Sequence, residues 1–129
     1  MIQHVEGVVL AGADLDASPA QVERGRHSLA RCVARVRTLE PPIDASLAPE
    51  LASAVGAARG ARAAIVGVHQ ALASAQAEAT IVLGGARTAL HYTSILALLA
   101  LVPAAGGVAI VAAQSDDGPD PLFAVYRAR

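Results

Sequence analysis

The sequence predicts one domain of the α+β class, in which helices pack on a small sheet. Three observations lead to this prediction. The chain has 129 residues, the usual size of a single domain and enough to bury a core. Short apolar runs rich in β-branched residues alternate with turn-forming segments, as strands do. Longer alanine- and leucine-rich stretches repeat with the spacing of amphipathic helices. Residues 1–129 are therefore expected to form a single domain.

The composition limits the classes of function that the chain can have. Hydrophobic residues make up 54% of the sequence and aromatic residues only 2%, so the core must be built from small aliphatic side chains that pack closely. The net charge of -1 argues against nucleic acid as a partner. All ten basic residues are arginine, a bias typical of high-GC bacterial coding, and a chain without lysine cannot form a Schiff base.

The cysteine content and the N-terminal residues predict a cytoplasmic location. Cys32 is the only cysteine, so neither an intramolecular disulfide nor a cysteine-rich zinc site can form. Its place in an apolar stripe favours a small core residue over a nucleophile. The first residues, MIQHVEGVVLAG, lack the basic segment of a secretory signal. These features together favour a reducing compartment.

The first strand and the first helix are predicted from adjoining segments. Residues 2–11 alternate and then become apolar, which is typical of a strand. A helix is predicted over about 19–40, because Ser18 is a suitable N-cap, Pro19 fits the first helical position and a Pro-Pro pair ends the segment.

A second helix is predicted over about 46–78, with a short strand in AAIVGV as an open alternative. Small and aliphatic residues recur there every seven positions, at Leu51, Ala58, Ile65, Leu72 and Ala79. Small side chains let two helices approach closely, so the helices over 19–40 and 46–78 are predicted to form an antiparallel helical hairpin.

The C-terminal part of the chain allows two interpretations. Residues 95–113, ILALLALVPAAGGVAIVAA, carry no charge, and one helix over about 90–113 could cross a bilayer, which would give a mainly α, single-span membrane protein. Proline and two glycines near the bilayer centre argue against that alternative. We favour a third apolar helix over 86–102, a turn, and strands that complete the sheet at 79–84, 107–113 and 122–127.

Acidic residues follow two of the predicted strands. Asp14 and Asp16 follow the first strand, and the string DDGPD, which contains Asp117, covers 116–120. Carboxylates at the C-terminal ends of neighbouring strands could hold Mg²⁺ for phosphoryl chemistry. DLDAS resembles the first motif of haloacid dehalogenase-type phosphatases, and DDGPD resembles their late acidic motif. The resemblance implies catalytic roles for Asp14 and Asp16 and metal binding by both with Asp117, although the family's lysine has no counterpart here.

Other polar residues receive simpler interpretations. Arg24, Arg31 and Arg35 are predicted to share one face of the first helix, where they could bind an anion or an acidic partner or form a solvated surface. His4 and Glu6 are predicted on one face of a half-exposed edge strand. The remaining histidines, His27, His69 and His91, are predicted at helix surfaces or caps.

No motif is specific enough to name a reaction, so the sequence favours a non-enzymatic protein-interaction or assembly module without a cofactor. The apolar content exceeds what one small core is expected to hide, and the remainder would form an interface with another copy or another protein. A small Mg²⁺-dependent phosphatase or phosphotransferase, using loops 14–16 and 116–120, and the membrane protein are the alternatives.

Overall fold

Helices and strands alternate along the chain, and the predicted α+β class is confirmed. The computed structural model describes residues 5–11, 18–40, 59–84, 91–102, 110–115 and 118–127. Within these ranges the elements are, in order, β1 Val5–Leu10, α1 Pro19–Ala30, β2 Arg35–Leu39, α2 Arg59–Ala73, β3 Ala79–Gly84, α3 Tyr92–Leu101, β4 Ile110–Ser115 and β5 Gly118–Arg127.

The strands form one mixed sheet in the order β2-β1-β3-β5-β4. Strands β2, β1 and β3 are parallel neighbours, whereas β5 runs antiparallel to both β3 and β4. Parallel strands need long crossover connections, and the helices lie in these connections. In the described part of the chain, β2 and β4 are therefore the two edges of the sheet, and β1, β3 and β5 are interior.

The helices cover both faces of the sheet. On one face, α1 and α3 contribute Leu29, Ile95, Leu98 and Val102 to a cluster with Val9, Ile81 and Val125. On the other face, α2 contributes Ala64 and Ala71 to a cluster with Val8, Leu10 and Val82. Alternate residues of a strand point to opposite faces, so β1 and β3 serve both clusters, which accounts for their nearly continuous apolar sequences.

The predicted helical hairpin is wrong. The first helix ends at Ala30 rather than near residue 40, and Arg35–Leu39 form the parallel strand β2. In the segment RVRTL the β-branched residues Val36 and Thr38 share one side and the two arginines share the other, which is the period of a strand. Because β2 intervenes, α1 and α2 lie on opposite faces of the sheet and cannot pair. The first part of the predicted second helix, residues 46–58, lies outside the described residues.

The orientation predicted for α2 is also wrong. Ile65 and Leu72 were expected to face a partner helix, yet 70% of Ile65 and 37% of Leu72 are exposed. The side that faces the sheet carries Ala64, Val68 and Ala71. Small side chains allow α2 to approach the sheet closely, and larger ones are left on its outer side. Leu51 and Ala58 of the predicted repeat lie outside the described residues.

The segment 95–113 is not one helix. The helix α3 ends at Leu101, and β4 begins at Ile110, so the alternative of a membrane-spanning helix over about 90–113 is wrong and the favoured order of helix and then strand is confirmed. Among the described residues there is no helix of the length and apolar character needed to span a bilayer. The strand prediction at 79–84 is confirmed, and β4 and β5 match 107–113 and 122–127 with shifted bounds. Residues 85–90 and 103–109 lie outside the described residues.

The predicted helix caps are confirmed. The Ser18 hydroxyl accepts from the Gln21 backbone N–H, and the Gln21 side chain accepts from the Ser18 backbone N–H, which is a capping box. The His91 side chain caps α3 by accepting from the Thr93 backbone N–H. His27 and His69 lie exposed on α1 and α2, as expected for surface histidines.

Candidate functional site

The two predicted acidic loops follow β1 and β4. These strands finish at the same end of the sheet but are not neighbours. In the sequence, Asp14 and Asp16 follow β1 and Asp117 follows β4; all three are outside the described residues. Two strands, β3 and β5, lie between β1 and β4. At about 4.8 Å per strand, the loops start roughly 14 Å apart. Within the described ranges, no three acidic, histidine or cysteine residues are arranged to hold a metal ion. Magnesium binding therefore stays a prediction.

Asp120 is the one acidic residue of the string DDGPD that the structure describes, and it is buried in β5. Its Oδ1 atom accepts from the Leu122 backbone N–H at 3.0 Å. Burial raises the pKa of Tyr126, and the negative charge of Asp120 raises it further. These contacts indicate a structural role for Asp120 in β5.

The three arginines that were predicted to share one face of the first helix lie in different parts of the structure. Arg24 lies on α1, Arg31 caps its C-terminal end, and Arg35 lies in β2, so the three do not share a helix face. The Arg31 guanidinium lies 3.9 Å from the centre of the Tyr92 ring, a cation–π contact. Arg35 donates to the Gln76 side chain at 3.4 Å. Anion binding at these arginines stays a prediction, without the single surface that motivated it.

The most enclosed pair of opposite charges is one that the sequence analysis missed. Glu6 lies in the interior strand β1 and is only 2% exposed, so the predicted half-exposed edge is wrong. The Arg37 guanidinium of β2 contacts the Glu6 carboxylate at 2.6 Å. It also donates to the Ser74 hydroxyl at 2.8 Å and to the Ala71 carbonyl at 3.2 Å.

The Glu6–Arg37 pair joins three elements and offers little to a ligand. Arg37 reaches the last turn of α2, where unpaired carbonyls and the helix dipole favour a cation. Its Nε atom is buried and has no hydrogen-bond partner among the described residues. The carboxylate, the hydroxyl and the carbonyl use three of the other four N–H donors, so we assign the pair to the structure of the domain. The alternation of charge in RVRTL and the glutamate within an apolar strand were the available signals.

Cys32 lies in a partly buried position between α1 and α3. Its Sγ atom lies 3.4 Å from the Ser28 carbonyl and 3.6 Å from the Tyr92 carbonyl, and both can accept its weak hydrogen bond. Burial raises the pKa of the Cys32 thiol, and the positive charge of Arg31 offsets only part of this effect. The thiolate, which is the nucleophilic form, is thereby disfavoured. These contacts fit the expected core role.

We expect Cys32 to react slowly with iodoacetamide at neutral pH. Its raised pKa leaves less thiolate than a free cysteine has, and the rate should rise as the pH increases toward that pKa. The measurement is the alkylation rate of the folded protein against pH, followed by mass spectrometry. The urea-unfolded chain is the control and should react several-fold faster near pH 7. Equal rates in the two states would contradict this role for Cys32.

An apolar surface lies on the exposed side of α3. The α3 outer face consists of Leu96, Ala97, Ala100 and Leu101, all of which are exposed. Leu96 is 44% exposed and Leu101 is 58% exposed. No residue between Tyr92 and Leu101 carries a charge. From Leu96 to Leu101 the helix is therefore apolar on its exposed side as well as on the side that packs against the sheet, and the exposed Thr93 lies one turn before this surface.

The exposed side of α1 shows what a solvated helix of this protein looks like. It lies on the same face of the sheet as α3 and carries Glu23, Arg24, Arg26 and His27. Glu23 contacts both Arg26 and His27 at 3.4 Å, which is typical of neighbouring charges on a helix surface. The α3 outer face has none of this character, and contiguous exposed apolar surface often marks an interface.

A second, smaller apolar surface lies on α2. Ile65 and Leu72 are two turns apart on its exposed side, with the exposed His69 between them. This polar interruption distinguishes the α2 surface from the continuous α3 outer face. The α3 outer face is therefore the stronger candidate for a contact surface.

No protein-family model, curated protein or solved structure matches this chain. The candidate site thus depends on the geometry of the described residues.

Proposed function

We propose that this protein is a non-enzymatic assembly module that associates with a second copy of itself through the α3 outer face. The observation that carries the proposal is the contrast between α1 and α3 on one face of the sheet. The exposed side of α1 is charged, whereas that of α3 carries no charge and, after Thr93, consists of Leu96, Ala97, Ala100 and Leu101. A surface of this kind gains free energy when a second apolar surface covers it.

The free energy that the α3 outer face contributes to association can be estimated from its leucines. Full burial of a leucine side chain is worth about 1.5–3 kcal/mol, and Leu96 and Leu101 are each about half exposed. The four leucines of a symmetric dimer therefore contribute about 4 kcal/mol. Association costs at least about 4 kcal/mol in translational and rotational freedom. The leucines alone only offset this cost, so a stable dimer needs further contacts beside α3.

Replacing Leu101 by glutamate tests the proposal. We expect the natural chain to form a dimer in size-exclusion chromatography with light scattering at micromolar concentration. Leu101→Glu should weaken the dimer by at least about tenfold, because the buried contact worth about 1 kcal/mol is lost and two like charges meet at the interface.

Ala30→Glu is the matched control. Ala30 is the exposed last residue of α1, as Leu101 is of α3, so both changes place a carboxylate at the end of a surface helix. Ala30→Glu should leave the dimer intact. A monomeric natural chain, or a Leu101→Glu variant that dimerises as well as Ala30→Glu, would overturn the proposal.

A further inference from the structure

The two edge strands of the sheet differ in their suitability for pairing with another strand. β2 carries Arg35 and Arg37, and charged residues on an edge strand oppose pairing with a second strand. An antiparallel pair of two β2 strands would also bring like charges together. The first four residues of β4, Ile110–Ala113, contain neither a charge nor a proline. The Ile110 side chain is 51% exposed.

The helix α3 lies beside this edge of the sheet. The helix packs on β4 and β5, and its Leu98 and Val102 share a cluster with Val111 and Ala113. If two β4 strands pair antiparallel around an axis perpendicular to the sheet, both copies of α3 lie on the same face of the continuous sheet. Since each helix lies over β4 and β5, the two helix axes would be about two strand spacings apart, or roughly 10 Å. Packed helices lie about 8–10 Å apart.

We infer that two copies of this chain join β4 to β4 in antiparallel orientation and form one continuous sheet, with the two α3 helices side by side and in contact along one border of each α3 outer face. This inference rests on the proposed self-association and specifies its geometry. The added backbone hydrogen bonds supply the contacts that the α3 leucines lack. A second copy is the occupant that the structure favours, because the same axis that pairs the uncharged edges also brings the two apolar helices to packing distance.

The axis that relates the two copies predicts that one position of β4 can form a disulfide with its own copy. A rotation about an axis perpendicular to the sheet keeps each side chain on its own face, so one residue of β4 must lie directly opposite its own copy. The Cα atoms of such a pair lie about 4.5–5.5 Å apart, within the range of a disulfide. For the next residue along the strand the corresponding distance rises to about 8 Å, which is too long.

The experiment uses the full chain with Cys32→Ser, which removes its only cysteine. Single cysteines are placed in turn at each position of β4, Ile110–Ser115, and each variant is oxidised and analysed on a non-reducing gel. One position should give roughly tenfold more cross-linked dimer than its neighbours. Thr38→Cys on the exposed part of the β2 edge is the control and should give no more dimer than those neighbours. Circular dichroism of each variant checks that it is folded.

The outcomes separate this inference from the proposal on which it rests. A single maximum along β4 in a dimeric protein supports both. A dimer in light scattering with no maximum along β4, or with equal cross-linking at Thr38→Cys, overturns the β4 geometry and leaves self-association standing. A monomer that cofloats with phosphatidylcholine vesicles overturns both and assigns the α3 outer face to a lipid surface. A monomer that does not bind vesicles also overturns both.

Discussion

Replacing Arg37 by alanine should lower the free energy of unfolding by about 3 kcal/mol. The substitution leaves the Glu6 carboxylate in a 2% exposed position without its guanidinium partner. Breaking a buried ion pair by removing one member typically costs about 3–5 kcal/mol, and the partial exposure of Arg37 places the expected value at the lower end. The hydrogen bonds to Ser74 and Ala71 are lost as well. Urea denaturation followed by circular dichroism measures the difference.

Arg35→Ala is the matched control, because it removes the same side chain from the same strand. Arg35 is exposed and makes a 3.4 Å hydrogen bond to Gln76, so its loss should change the free energy of unfolding by no more than about 0.5 kcal/mol. A double variant, Glu6→Leu with Arg37→Leu, should recover part of the stability, because no charge is left buried without a partner. If Arg37→Ala costs no more than Arg35→Ala, the buried pair is contradicted.

Between residues 22 and 36, the spacing of apolar residues predicted core membership better than it predicted secondary structure. Val22, Leu29 and Val36 recur every seven positions, which would place them on one apolar stripe of the helix predicted over 19–40. All three do pack in or against the same cluster. Val36, however, reaches it from a strand, because residues 31–34 reverse the chain after α1. A seven-residue spacing can thus bring residues to one core without a continuous helix between them.

The candidate site could not be predicted from local sequence patterns, because it depends on how elements distant in the sequence pack together. Glu6 and Arg37 are 31 positions apart and meet only because β1 and β2 are parallel neighbours. The α3 outer face is similarly hidden in the sequence, because every residue of α3 after Ser94 is apolar. The placement of α3 on the sheet decides which leucines are buried. The surplus of apolar residues was visible in the composition, but its position on the surface was not.

The neighbouring residues Ile95 and Leu96 provide the last test, because Ile95 is buried and Leu96 is exposed. Ile95 is fully buried, and Ile95→Ala should cost about 3 kcal/mol in free energy of unfolding through lost burial and the cavity left behind. This loss should be the same at low and high protein concentration, because the side chain packs within one copy of the chain.

Leu96→Ala, the matched control, should behave differently. Leu96 lies on the α3 outer face, so its truncation weakens the association that adds concentration-dependent stability to the dimer. At the lowest protein concentration, where monomers prevail, we expect its cost to be below about 1 kcal/mol; at higher concentration the gap to the natural chain should widen. Urea denaturation at several concentrations measures both variants. Equal, concentration-independent losses would mean that Leu96 is a core residue and would remove the basis for the proposed interface.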